Sequence, residues 1–155
     1  MLARTQKVID GLHPSIRGLV TLGVNQCDTA LRGRARILLV QGIRTFPEQD
    51  ALFKKRPKVT NAKAGQSYHN YGLAFDYCLQ VDGKDISWNT AKDWDGDHIA
   101  DWMEVATIFV ALGFKWGRAF NDLPHMEKTF GLNWRDMLLR YNKKDFIPGT
   151  NFIRL

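Results

Sequence analysis

Two histidines and two aspartates give this chain the makings of a metal-assisted hydrolytic site. His69 and Asp76 stand in SYHNYGLAFDY, and Asp122 and His125 in NDLPHME. Two imidazoles and one carboxylate are a common three-ligand zinc set, with the fourth tetrahedral position left to water. Zinc brings the pKa of such a water towards neutrality and polarises a bound carbonyl. A carboxylate outside the ligand set can then take the proton. On this pattern His69, Asp76 and His125 are candidate metal ligands and Asp122 a candidate base. The same residues also fit a site without metal, with His69 an exposed turn residue, His125 a satisfied core histidine and Asp76 a hydrogen-bonded strand acid. No HExxH signature decides between the two.

A second cluster lies in DWDGDHIADWME. Asp93, Asp95, Asp97, Asp101 and Glu104 fall at positions 1, 3, 5, 9 and 12 of a twelve-residue loop, with the Ile99 carbonyl at position 7. Those are the calcium-ligand positions of an EF-hand loop, except that His98 holds position 6, where the sharp turn normally takes Gly. The competing reading is an acidic first turn that complements the dipole of the helix beginning near Ile99.

The elements that must position these groups can be read from hydrophobic period and turn chemistry. HPSIRGLVTLGVNQCDTAL predicts a helix with Pro14 in its first turn. RARILLVQG predicts a buried strand ended by Gly42, and RTFPEQDALFKK a short helix with Thr45 as its cap. GLAFDYCLQVDGK alternates, with Leu73, Phe75, Tyr77, Leu79 and Val81 on one face and Gly72, Ala74, Asp76, Cys78 and Gln80 on the other. The small neighbours of Asp76 predict open space beside it. A turn at Gly72 is required for His69 and Asp76 to converge, and Asp82-Gly83 predicts a hairpin. Apolar residues at Ile99, Trp102, Met103, Ala106, Phe109 and Val110 predict a helix ending at Gly113. FKWG and PHMEKTF read as short strands and NWRDMLLRY as a closing helix. The expected architecture is α+β, a small antiparallel sheet flanked by helices, in one domain over residues 1–155.

Composition narrows the function classes. No apolar run reaches the length of a membrane span, and the N-terminus has no secretory h-region, so synthesis and folding in the cytoplasm are expected. Cys27 and Cys78 make neither a disulfide framework nor a metal knuckle, and read as small buried hydrophobes. The net charge is +6, yet residues 67–104 hold two basic against eight acidic side chains. The rest of the chain is therefore strongly basic, which suits an anionic partner such as a wall polymer, a membrane surface or nucleic acid. The nucleic-acid form is disfavoured by the lack of a helix-turn-helix, zinc-finger or RNP-like pattern.

The ordered motifs resemble a known family. SYHNYGLAFD resembles the SxHxxGxAxD motif of zinc D-alanyl-D-alanine carboxypeptidases and dipeptidases and of phage L-alanyl-D-glutamate endopeptidases, through Ser67, His69, Gly72, Ala74 and Asp76. QGIRTFPEQDALF, GFKWG and DLPHME are similar to its other segments, in the same order, over about residues 40–127. The resemblance implies a zinc cleft with His69, Asp76 and His125 as ligands and Asp122 as the catalytic carboxylate. It implies that Arg44 steadies substrate or a developing oxyanion, and puts Gln49 and Ser67 at the edge of the substrate site. Two departures stand out. Arg118, Ala119 and Phe120 follow KWG where the family often has Gly, an acid and Trp, and Asp122 stands where some relatives have Glu.

Within that family, the expected substrate is the stem peptide of bacterial peptidoglycan, cut between L-alanine and D-glutamate. The expected setting is a monomeric, single-domain phage endolysin that accumulates in the host cytoplasm. It would reach the wall or periplasm once a holin opens the membrane. The alternatives are a D-Ala-D-Ala carboxypeptidase or dipeptidase, and a non-catalytic wall-binding domain. No nucleic-acid partner is expected. Zinc is the implied cofactor, with calcium a further candidate at the acidic loop.

Overall fold

Strand β2 (Ala74–Val81) is the strand on which the sheet is assembled. The computed structural model describes residues 1–155. β2 pairs antiparallel with β1 (Ala35–Gln41) along one edge. Its other edge pairs with β5 (His125–Glu127) at one end and β3 (Asp85–Ser87) at the other. β4 (Lys115–Trp116) adds to the far side of β5, giving the order β1-β2-β5-β4 with all pairs antiparallel. Asp82 and Gly83 both take positive φ, +52° and +73°, as the two central residues of a type I′ hairpin turn must. The expected α+β architecture is therefore present.

The helices bury the sheet. α2 (Pro14–Ala30), α3 (Phe46–Lys54) and α5 (Trp134–Asn142) form where hydrophobic period and capping place them. Thr45 and Glu48 close a capping box on α3, and Asn133 and Asp136 close one on α5. The packing face of β2 carries Phe75 and Tyr77. Phe75 meets Phe109 and Phe114 edge-on at 4.9 and 5.6 Å between ring centres, and Tyr77 lies 4.7 Å from Trp102. These contacts seat α4 (Asp101–Ala111) on the sheet, and Gly23 of α2 leaves room for the Phe109 ring. Cys27 and Cys78 are unbonded and buried in this core.

Three sequence expectations change. α1 (Ala3–Asp10) is a helix that sequence reading leaves unassigned. Its N-terminus has no side-chain cap, and it is held instead by the edge of β1, where the Leu39 N–H donates to Thr5 Oγ1. The helix expected from Ile99 starts at Asp101, and both Ile99 and Val110 are exposed. The face of β2 that carries Asp76 is not open along its length. Ala74 and Cys78 are fully buried, so that face reaches solvent only in part, at Asp76 and Gln80.

Gly72 sets the angle at which the chain enters β2. It has φ +68° and ends a short 3-10 helix over Tyr68–Tyr71 that carries His69. A Cβ there would lie 2.8 Å from the backbone nitrogen of His13, whose N–H donates to the Gly72 carbonyl. Gly72→Ala therefore combines left-handed strain with a backbone clash. We expect a loss of about 2 kcal/mol or more, which lowers Tm by at least about 4 °C in a protein of this size. Thermal unfolding by circular dichroism checks this, and an unchanged Tm would contradict the constraint.

Candidate metal centre and cleft

The pairing of β2 with β5 sets Asp76 directly opposite His125. The register is anchored one residue along, where the Tyr77 N–H donates to the carbonyl of Pro124. His69 arrives from the other side, on the 3-10 helix that Ser67 caps by accepting the His69 N–H. The Arg44 N–H donates to the His69 carbonyl and ties this turn to the end of β1. Residues far apart in the chain thus deliver three side chains to one point.

At that point the donor atoms are mutually close. His69 Nε2 lies 3.1 Å from His125 Nδ1 and 3.3 Å from Asp76 Oδ1, and His125 Nδ1 lies 3.2 Å from Asp76 Oδ1. Ligands about 2.0–2.1 Å from a tetrahedral zinc lie on the order of 3.3 Å apart, so this triangle has the right size. The outer ring nitrogens are both engaged. His69 Nδ1 donates to the Gly42 carbonyl at 2.7 Å, and His125 Nε2 donates to Glu127 at 3.1 Å. Those bonds turn the Nε2 lone pair of His69 and the Nδ1 lone pair of His125 inward, as metal-ligating imidazoles require. The residues present therefore fit a zinc ion.

The electrostatics agree. Burial works against ionising Asp76, but hydrogen bonds from His125 and His69 outweigh it and hold the carboxyl well below the usual carboxylate range. Burial also works against charging His125, yet its bonds to Asp76 and Glu127 raise it to about 9. Without a cation, a proton on His125 balances the two carboxylates, and a metal must displace it.

Around the triangle lies a cleft of about 540 Å³ lined in part by Arg44, Ser67, Tyr68, Phe120, Asp122 and Glu127. Arg44 points Nη2 towards Asp76 Oδ2 at 3.9 Å and donates through Nη1 to Gln49 at 2.9 Å. Gln49 is fully buried, and its amide donates to the Ala62 carbonyl. Its oxygen thus fixes Arg44 and its nitrogen the Ala62 segment, and Gln49 is not among the residues that line the cleft. Ser67 does line the cleft, although its hydroxyl is engaged as a cap.

Asp122 lies in the cleft outside the three-residue cluster. Burial, reinforced by the Asp76 carboxylate, raises its pKa against the pull of His125, His69 and Arg44. That makes it a better proton acceptor than an ordinary aspartate. Its loop is compact because Gly117 has no side chain. A Cβ at Gly117 would collide with the Asp122 carbonyl, to which the Gly117–Asp122 turn brings the chain back.

Glu127 escaped sequence reasoning. The signal was available, since His125 and Glu127 sit two apart on a strand and share a face. The five acidic-loop residues lie outside the cleft, around the start of α4.

Comparison with known proteins supplies an independent measure. Residues 60–128 match a family described as D-alanyl-D-alanine carboxypeptidase. A curated relative, the peptidoglycan L-alanyl-D-glutamate endopeptidase CwlK of Bacillus subtilis (strain 168), is 43% identical over 99 residues. The alignment covers 59% of this chain and 59% of that relative.

Two outcomes are expected for metal binding. Zinc affinity, measured by chelator competition, should rise by about tenfold per pH unit from pH 7 towards 9 as the His125 proton is lost, then flatten. A pH-independent affinity would contradict displacement of that proton. Glu127→Ala should weaken zinc binding by about 10–100-fold, and an unchanged affinity would remove its orienting role.

Proposed function

We propose, from the match of residues 60–128 to the D-alanyl-D-alanine carboxypeptidase family and the 43% identity to the Bacillus endopeptidase, that this chain is a zinc peptidase of that family and hydrolyses the stem peptides of bacterial peptidoglycan. The single observation that carries this is the inward-facing triangle of His69 Nε2, His125 Nδ1 and Asp76 Oδ1, set in an open cleft. His69, Asp76 and His125 hold the metal. Zinc, when bound, supplies a Lewis acid for the scissile carbonyl and its attacking water. Asp122 takes a proton from that water and returns it to the departing amine. Arg44, braced by Gln49, sets a fixed positive charge beside the oxygen on which negative charge grows. These five side chains, Arg44, His69, Asp76, Asp122 and His125, belong in this reading to one catalytic domain over residues 1–155.

The bond we assign is that between L-alanine and D-glutamate, supported by the 43% identity to the Bacillus endopeptidase. The strongly basic remainder of the chain suits an anionic wall polymer. It also suits service as a phage endolysin, released from the host cytoplasm when the membrane is opened. No helix is long and apolar enough to cross a membrane. A second reading, D-Ala-D-Ala carboxypeptidase, draws on the description of the matched family.

Mass spectrometry of digested peptidoglycan distinguishes these. The zinc-loaded protein should release peptides with new N-terminal D-glutamate, and chelation or His125→Ala should abolish them. Free D-alanine would instead support the carboxypeptidase reading. Asp122→Ala should keep its zinc and lose about 10²–10⁴-fold in rate. Full activity in that variant would exclude Asp122 as the proton carrier.

A further inference from the structure

The acidic loop before α4 takes no part in the cleft, yet it carries a charge problem of its own. Five carboxylates, Asp93, Asp95, Asp97, Asp101 and Glu104, crowd twelve residues, and none of them forms an ion pair. Arg32 acts on Glu104 only from a distance, without an ion pair, and two other cations near the loop are engaged elsewhere. Arg34 is bidentate to Asp82 at 2.9 and 2.6 Å, and Lys92 lies over the Trp94 ring.

Hydrogen bonding satisfies only part of the cluster. Asp93 accepts the N–H groups of Asp95, Gly96 and His98, and Asp97 accepts that of Ile99. Asp101 is fully buried. Its Oδ1 accepts the Trp94 N–H at 2.8 Å, while its Oδ2 is shut off from solvent with no donor in reach. Asp95 Oδ2 and Glu104 Oε2 are also buried without a donor. Leaving one charged oxygen dry and unpaired is costly, and here three are gathered together.

Their placement is that of ligands. Oxygens of Asp93, Asp95 and Asp101 lie within 4.8 Å of one another, as do those of Asp95, Asp97 and Glu104, so Asp95 links the two groups. The Ile99 carbonyl, at the intervening position, receives no backbone N–H. His98 has φ +73°, the left-handed conformation that the sixth position of such a loop demands and Gly normally supplies. The residue that spoils the sequence pattern therefore keeps its geometry.

We propose that residues 93–104 bind one calcium ion through Asp93, Asp95, Asp97, the Ile99 carbonyl, Asp101 and Glu104. Hard oxygen donors alone, several of them carboxylates at this spacing, suit calcium rather than a metal that prefers nitrogen or sulfur. The ion neutralises the dry oxygens and pins the entry loop to the first turn of α4. Trp102 in that turn packs on Tyr77, whose N–H holds the Pro124 carbonyl next to His125. Calcium thus stiffens the support of the metal centre without entering the cleft.

The test is calorimetric titration of calcium into the zinc-loaded full chain, with magnesium in parallel and thermal unfolding alongside. One calcium per chain is expected, with Kd below about 1 mM and zinc content unchanged. At a hundredfold excess over Kd, Tm should rise by about 5 °C or more. Asp101 is buried and its replacement risks the fold, so the exposed Asp97 provides the variant. Asp97→Asn keeps the turn and should weaken calcium at least about tenfold, whereas His98→Gly should bind at least as tightly as the parent. No heat and no Tm change at 10 mM calcium (about tenfold above the weakest Kd allowed) would overturn the site, leaving protons to neutralise the loop. Equal binding of magnesium, or an Asp97→Asn variant that binds like the parent, would overturn the calcium assignment. None of these readouts depends on peptidase activity.

Discussion

Three donor atoms held 3.1–3.3 Å apart, two imidazole nitrogens and a carboxylate oxygen, are the constraint on which this architecture turns. Two inward lone pairs and a negative charge cannot share so small a space unless a cation sits among them or a proton is kept there. The protein resists relaxing this arrangement from every side. Asp76 and His125 are fixed by strand register, His69 by a turn that only Gly72 permits, and the two rings by the Gly42 carbonyl and Glu127. Each restraint is an ordinary backbone or side-chain bond. Their agreement on one point makes a site.

The core explains why the point does not drift. β2 pairs with three other strands, and its packing face is filled by Phe75 and Tyr77 against the aromatic side chains of α4 and the segment after it. Such close-packed interiors transmit strain rather than absorb it. Arg44 is braced in the same manner, through a buried glutamine that accepts from it and donates to the Ala62 carbonyl. Asp122, by contrast, projects from a loop closed by Gly117, where a short carboxylate can be brought near the triangle without joining it. Rigid ligands and a separate proton acceptor are what metal-assisted hydrolysis asks of a fold.

Much of this was legible in the sequence because it is local. The alternation around Asp76, the Asp82-Gly83 hairpin and the Thr45 cap each follow from a few adjacent residues. What was not legible depends on pairing across the chain. Nothing local says that Asp76 lies opposite His125, or that α1, uncapped in sequence, is held by the edge of β1. Nor does anything local say that Gln49, a polar residue on a helix, is buried by tertiary contacts and turned to Arg44. At Ile99 and Val110 the helical stripe was real but wider than the face that packs. Glu127 was missed although its two-residue offset from His125 was in view.

Zinc-edge X-ray absorption on the protein reconstituted with one equivalent of zinc tests the central claim most directly. Two imidazoles and two further oxygen or nitrogen scatterers at about 2.0–2.1 Å are predicted, falling to one imidazole in His69→Ala. A shell containing sulfur at about 2.3 Å, or one without imidazole, would contradict the account.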